Sequence, residues 1–263
     1  MWPGRPWEAF LNVFLTGFVA SLLAGLATGV GALPAILVRG VSRVTQNVFL
    51  GFGAGVMLAA TSFSLLIPAI EKAGASPIGM LKVVGGLLLG GLFLWSADRL
   101  LPHEHFNNGP EGSDSKRLRR VWLFVIAIIL HNFPEGLAVG VGFGGGDFDE
   151  GMSLAVGIGL QNMPEGLVVA LALLSQKYPI GKALLVATLS GLAEPIGGAL
   201  GAGLVGVFAG LLPWGLAFAG GAMLYVVSDE IIPEIHSEQK TAKATWGIVG
   251  GFVVMMLLDV LLG

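Results

Sequence analysis

Residues 120–143 read RVWLFVIAIILHNFPEGLAVGVGF, an apolar run of membrane-spanning length with a polar hexapeptide, His131-Asn132-Phe133-Pro134-Glu135-Gly136, at its centre. About 20 apolar residues in a helix cross a hydrocarbon core of roughly 30 Å. An ionisable group at the middle of such a helix costs at least ~2.5 kcal/mol on insertion scales. The stretch is therefore either a span with a function at its centre or no span at all, and the rest of the chain decides. Further runs of similar length lie at roughly 9–38, 46–71, 77–101, 150–175, 180–209, 212–235 and 244–262. Lipid offers no hydrogen bonds, so only helices or closed barrels span it; long continuous runs, rather than short alternating ones, select helices. The 263 residues are 54% hydrophobic and only 12% charged, about half the charge of a soluble domain. Forty-two glycines suit helices that touch closely in lipid. The first run is too long for the core of a cleaved signal peptide. The expected fold class is an all-α integral membrane protein of eight transmembrane helices.

The hexapeptide has a partner. Gln161-Asn162-Met163-Pro164-Glu165-Gly166 aligns with it residue for residue, 30 positions later, on a span of opposite direction. Polar side chains at i and i+4 stack on one helix face. Each proline leaves the carbonyl four residues back, Leu130 or Leu160, without its helical donor. A third acid, Glu194, again followed by a proline, lies in the sixth span, and His131 is the one histidine in a mid-span position. No lysine or arginine falls at that depth. Three unpaired carboxylates cannot all stay ionised in a low dielectric; they take up protons or are neutralised by a cation. Imidazole, amide oxygen and carboxylate together suit Zn²⁺, Fe²⁺, Mn²⁺ or Cd²⁺. The chain has no cysteine, which removes thiolate sites. Met57 stands mid-span as either a packing residue or a thioether ligand.

Short matches recur at a nearly fixed offset. Phe52-Gly53-Ala54-Gly55-Val56-Met57-Leu58 matches Phe218-Ala219-Gly220-Gly221-Ala222-Met223-Leu224, and Gly25-Leu26-Ala27 matches Gly191-Leu192-Ala193, both 166 apart. Ile67-Pro68 matches Ile232-Pro233, and Val84-Gly85-Gly86 matches Val249-Gly250-Gly251, at 165. Glu194 then aligns with Thr28, so this acid belongs to one half only. Of 14 lysines and arginines, all but Arg5, Lys72 and Lys82 flank the loops after odd-numbered spans. The positive-inside rule puts those loops in the cytoplasm and both termini outside. Matched spans then run in opposite directions, an inverted repeat of the kind that places transport sites at its interface. The expected organisation is one transport domain in a 3+2+3 arrangement: a first repeat at about 9–101, a central pair at about 120–175, a second repeat at about 180–262, and a cytoplasmic loop at about 102–119.

These residues resemble the ZIP (Zrt-/Irt-like) family of divalent metal transporters, closest to its bacterial members. The resemblance rests on the two Pro-Glu-Gly hexapeptides and on Glu194-Pro195, and it extends over nearly the whole chain. It implies a binuclear centre, with His131, Glu135, Gln161 and Glu165 around one metal and Asn132, Glu135, Asn162, Glu165 and Glu194 around the other. It implies a place for Met57 beside the first metal. Some relatives have Asp where this chain has Asn162, and a neutral amide lowers the negative charge of the second site. The resemblance also implies an exit path through Asp98, Asp229, Glu230 and Ser64, where the acids read equally as solvated span ends, and a metal-trapping loop holding His103 and His105, which reads equally as a plain hydrophilic linker. Uptake into the cytoplasm of a bacterium across its inner membrane, with elevator-like alternating access, comes from the resemblance alone, as does a homodimer as a candidate assembly. The metal is expected as transported substrate, not cofactor.

Two rival readings compete. An intramembrane metalloenzyme would need a second histidine at zinc-protease or di-iron spacing, and mid-span there is one. A proton- or Na⁺-coupled carrier of an organic substrate would explain the acids but not the histidine. A net charge of −3 and the lack of a basic patch argue against nucleic acid as a partner; the expected partners are divalent ions and the bilayer.

Overall fold

The computed structural model describes residues 6–37, 42–100, 114–236 and 242–262, and among these there is no strand. Helix α1 spans Pro6–Ala32 and tightens into a 3₁₀ turn over Leu33–Ile36. Helix α2 (Arg43–Ala59) is capped by the Ser42 side chain, which accepts from the Thr45 N–H. It continues through a π-helical stretch, Ala60–Leu66, into α3 (Ile67–Ala73). Then come α4 (Pro77–Leu100), α5 (Asp114–Gly144), α6 (Phe148–Ser175), α7 (Ile180–Ser190) and α8 (Ala193–Val207). Helix α9 (Leu212–Val226) passes through π turns at Val227–Ile231 into α10 (Ile232–His236), and α11 (Ala242–Leu262) follows. Seven helical stretches among the described residues are long and apolar enough to cross a membrane. Helix α5 is not among those seven, although it is 31 residues long.

Three departures from the sequence reading have backbone causes. The loop expected over 102–119 is shorter, because α5 already begins at Asp114; His103 and His105 lie outside the described residues. The sixth run is two helices, not one. Pro195 has no N–H for the Gly191 carbonyl, which accepts instead from the Glu194 N–H at 3.1 Å. That leaves the Ser190 carbonyl to a side chain, and Asn132 Nδ2 donates to it at 2.9 Å. The π stretches arise in a matching way. Just before Pro68 and Pro233, the Ile67 and Ile232 N–H groups reach back five residues, to the Ser62 and Val227 carbonyls. Such bulges concentrate at functional sites.

Packing is symmetric under exchange of the two halves. Helix α2 packs most extensively against α11 and, correspondingly, α9 against α4; α1 lies along α6 as α8 lies along α5. The crossings are made of glycine backbone. A Cβ on Gly25 would lie 2.2 Å from the Gly191 carbonyl oxygen, and a Cβ on Gly191 would lie 2.1 Å from that of Gly25. Helices α1, α5, α6, α7 and α8 make one closely packed group, while α2, α3, α4, α9 and α11 make a second; they meet chiefly where α2 touches α6 and α5 touches α9.

A short turn reverses the chain between α5 and α6. Gly146 adopts φ +81° there, and Asp147 caps α6 by accepting from the Asp149 and Glu150 N–H groups. At the same end an ion pair joins the two groups: Lys72 Nζ lies 3.0 Å from Glu150 Oε2. Exposed ion pairs contribute ~0–1 kcal/mol, and the lysine side chain is 30% exposed. Lys72→Met is therefore expected to cost about 1 kcal/mol or less. Thermal unfolding in detergent would read this as a fall of a few degrees, and Glu150→Gln in the same background should add little.

Candidate functional site

Helices α5 and α6 run antiparallel: a Cβ on Gly142 would lie 3.2 Å from the Gly151 Cα, and towards their middles Glu135 meets Gln161. Both continue through their prolines, Pro134 and Pro164. The polar side chains of the two hexapeptides are buried: His131, Asn132, Glu135, Gln161, Asn162 and Glu165, and Glu194 with them. No lysine or arginine is buried among the described residues. Gln161 Nε2 donates to Glu135 Oε1 at 2.5 Å, and Asn162 Nδ2 donates to Glu194 Oε1 at 2.6 Å. Glu135 feels the charges of both Glu165 and Glu194, and Glu194 that of Glu165, so the three carboxylates share one neighbourhood. Glu194 is in the first turn of α8, where the helix dipole favours an anion.

The donors in this centre point inward to the protein, and acceptors are left over. Asn132 donates to the Ser190 carbonyl, and Asn162 donates to the Ala24 carbonyl at 2.9 Å. Asn132 Oδ1, Glu135 Oε2, Gln161 Oε1, Asn162 Oδ1 and Glu194 Oε2 are buried oxygens with no hydrogen-bond donor. A buried polar group without a partner costs about 1–3 kcal/mol, and here five such oxygens are all of acceptor type. Among the described residues, no three or more His, Asp and Glu side chains form a ready cation cage by themselves.

Other expected residues fall as follows. Met57 is buried on α2 one turn beyond Gly53, whose Cβ would sit 3.9 Å from the Gln161 Cβ. Asp229 is exposed and accepts from the Tyr225 hydroxyl at 3.2 Å. Asp98 and Glu230 lie in helical segments, at the end of α4 and in the π turns before α10. Ser64 does not share an end with Asp229. Asp229 is close in sequence to Ile235, whose carbonyl accepts from Asn47 near the start of α2. Ser64 is 17 residues further along, about 25 Å at 1.5 Å per residue, and donates to Asp259 Oδ1 at 2.6 Å. One path leaving at a single end cannot include both. Asp259 was not picked out from the sequence; an acid in the last turns of an otherwise apolar span was its signal.

Membrane-length helices folded around buried acids, amides and a histidine define a multi-pass membrane protein that handles a charged species inside its helix bundle. The family model described as ZIP zinc transporter matches residues 102–259. The chain is 49% identical over 251 residues to the zinc transporter GufA of Myxococcus xanthus, covering 94% of this chain and 99% of that one. It is 47% identical over 241 residues to the zinc transporter ZIPB of Bordetella bronchiseptica, covering 90% of this chain and 78% of the relative. The zinc transporter ZupT of Streptococcus mutans is 34% identical over 255 residues, with 91% and 95% covered. The chain belongs to the ZIP zinc transporter family. It is a transporter, not an enzyme.

Proposed function

We propose that this chain takes up Zn²⁺, with Cd²⁺, Fe²⁺ and Mn²⁺ as further substrates, across the bacterial inner membrane through the polar centre between α5 and α6. The observation that carries this reading is the set of five buried acceptor oxygens without donors, beside three mutually repelling carboxylates and an imidazole. Divalent cations supply the charge that acceptors and carboxylates of this kind lack; an organic substrate with its own acceptors does not. The ligand sets are those the family resemblance implies: His131, Glu135, Gln161, Glu165 and Met57 for one ion, and Asn132, Glu135, Asn162, Glu165 and Glu194 for a second. Asn162 brings an amide rather than a carboxylate, so the second position holds its ion more weakly.

In this reading the eight helical runs are eight spans in an inverted 3+2+3 repeat with both termini outside. The exchange symmetry of the packing and the matched π stretches support the repeat, and the lysine and arginine distribution supports the orientation. Alternating access comes from sliding one helix group against the other across the α2–α6 and α5–α9 contacts. Asp98, Asp229 and Glu230 then belong to the cytoplasmic end, and Ser64 with Asp259 to the opposite one. Protons compete with the ion for His131 and the glutamates, which gives release a chemical route.

The test is radiolabelled zinc flux into proteoliposomes beside metal-independent proton flux. Zinc flux that saturates and is inhibited by cadmium supports the proposal. Proton flux alone, with no metal movement, removes it. An anomalous-scattering map at the zinc edge would then count the ions between α5 and α6.

A further inference from the structure

The pseudosymmetry of the centre singles out a residue that the metal-ligand set omits. Asn132 donates to the Ser190 carbonyl and Asn162 to the Ala24 carbonyl, and Ser190 and Ala24 are 166 positions apart, the repeat offset. Gly136 rests on the backbone of Glu194 as Gly166 rests on that of Thr28: added Cβ atoms would lie 2.0 and 1.8 Å from the two carbonyl oxygens. Gly25 faces the Glu194 carboxylate, and Gly191 faces the Thr28 hydroxyl, at 3.3 and 3.0 Å from the same kind of added atom. Thr28 therefore holds, on the α1 side, the place that Glu194 holds on the α8 side.

Its hydroxyl is buried without a partner, as are those of Thr61 and Ser153, but it alone of the three stands at the counterpart of Glu194. A helical serine or threonine in an apolar setting ordinarily turns its hydroxyl back to the carbonyl three or four residues earlier. Thr16, Ser21, Thr188 and Ser190 all do so here. For Thr28 the acceptor four residues back is the Ala24 carbonyl, and Asn162 Nδ2 already occupies it at 2.9 Å. Thr28 is 0% exposed, and its Oγ1 has no hydrogen-bond partner. A buried hydroxyl whose acceptor four residues back is already taken, at the pseudosymmetric counterpart of Glu194, is poised for a ligand.

We propose that Thr28 is a further oxygen contact of the transported divalent cation, directly or through one of the ion's waters, at the pseudosymmetric counterpart of Glu194. This rests on the metal-transport reading above. Because a hydroxyl is neutral where the repeat-mate is an acid, one side of the centre holds the ion strongly and the other holds it weakly.

Zinc uptake by the full-length chain in proteoliposomes tests this with Thr28→Val, nearly isosteric but without the hydroxyl, and Thr28→Ser, which keeps it. Thr28→Val is expected to raise the KM for zinc about 5–10-fold with Vmax and thermal unfolding temperature little changed, while Thr28→Ser stays within about twofold of the parent. A parental KM in Thr28→Val overturns the proposal. So does an equal change in both variants accompanied by a lower unfolding temperature, which marks a packing role. The parent and Glu165→Ala are measured alongside. Absence of zinc uptake by the parent defeats the metal-transport reading itself. Uptake that depends on Glu165 but ignores Thr28 defeats this inference alone.

Discussion

Zinc uptake is expected to fall at least ~100-fold in His131→Ala, Glu165→Ala and Glu135→Gln, a loss equivalent to about 2.8 kcal/mol at 1.4 kcal/mol per tenfold. The reasoning differs among the three. His131 is the imidazole of the centre, buried at 5% exposure, and its replacement removes a nitrogen donor for which the amides are poor substitutes. Glu165 is the acid whose charge reaches both Glu135 and Glu194, so its loss weakens the field felt by any cation there. Glu135→Gln is the sharpest. The glutamine oxygen can still accept from Gln161 Nε2, so the local hydrogen bond survives while one negative charge goes. Relief of like-charge repulsion should leave its thermal unfolding temperature equal to the parent or higher. Lost transport with undiminished stability separates a binding role from a folding role, because stability and function trade against each other at such sites. Near-parental uptake by all three would dissolve the metal-site assignment.

Much of the molecule was legible in the sequence because hydropathy reports on side chains, and membranes select side chains strongly. The helical segments, the two hexapeptides and the lone Glu194 all came from the chain as written. The proposed halves rest on offsets of 165 and 166, and the two asparagines donate to Ser190 and Ala24, which are themselves 166 apart. Features governed by backbone bonding were not legible. Pro195 was plain to see, yet a proline alone does not announce a break, since α5 and α6 continue through Pro134 and Pro164. The repeat-mate of Pro195 is Gly29, and α1 accordingly runs through that position unbroken. The π stretches before Pro68 and Pro233 leave no trace in hydropathy. The resemblance groups Ser64 with Asp229, and the course of α2 past α10 separates them. The Thr28 hydroxyl could not be seen as partnerless without knowing that Asn162 takes its acceptor.

Gly136→Val and Gly166→Val are expected to abolish transport as fully as loss of a ligand, by a different route. A Cβ on Gly136 would sit 2.0 Å from the Glu194 carbonyl oxygen and 2.5 Å from its Cα. Neither atom is a flexible side-chain end, so α5 and α8 must part by on the order of 1 Å to restore van der Waals contact near 3.5 Å. Glu135 is the residue just before this contact and Glu194 is the contact itself, so the two acids separate with their helices. Gly166 repeats the situation against Thr28 on α1, where the added atom would lie 1.8 Å from the carbonyl oxygen. Overpacking of this kind costs about 1–3 kcal/mol or more, read as a fall of roughly 2–12 °C in unfolding temperature at ~2–4 °C per kcal/mol. Gly53→Ala and Gly250→Ala are the contrasts: an added Cβ meets Gln161 at no less than 3.9 Å in the first case and nothing within 4 Å in the second. Both should keep parental uptake and stability. If the valine variants transport normally while the alanine contrasts fail, close backbone contact at the Pro-Glu-Gly turns is not what aligns the acids, and the helices must be held in register elsewhere.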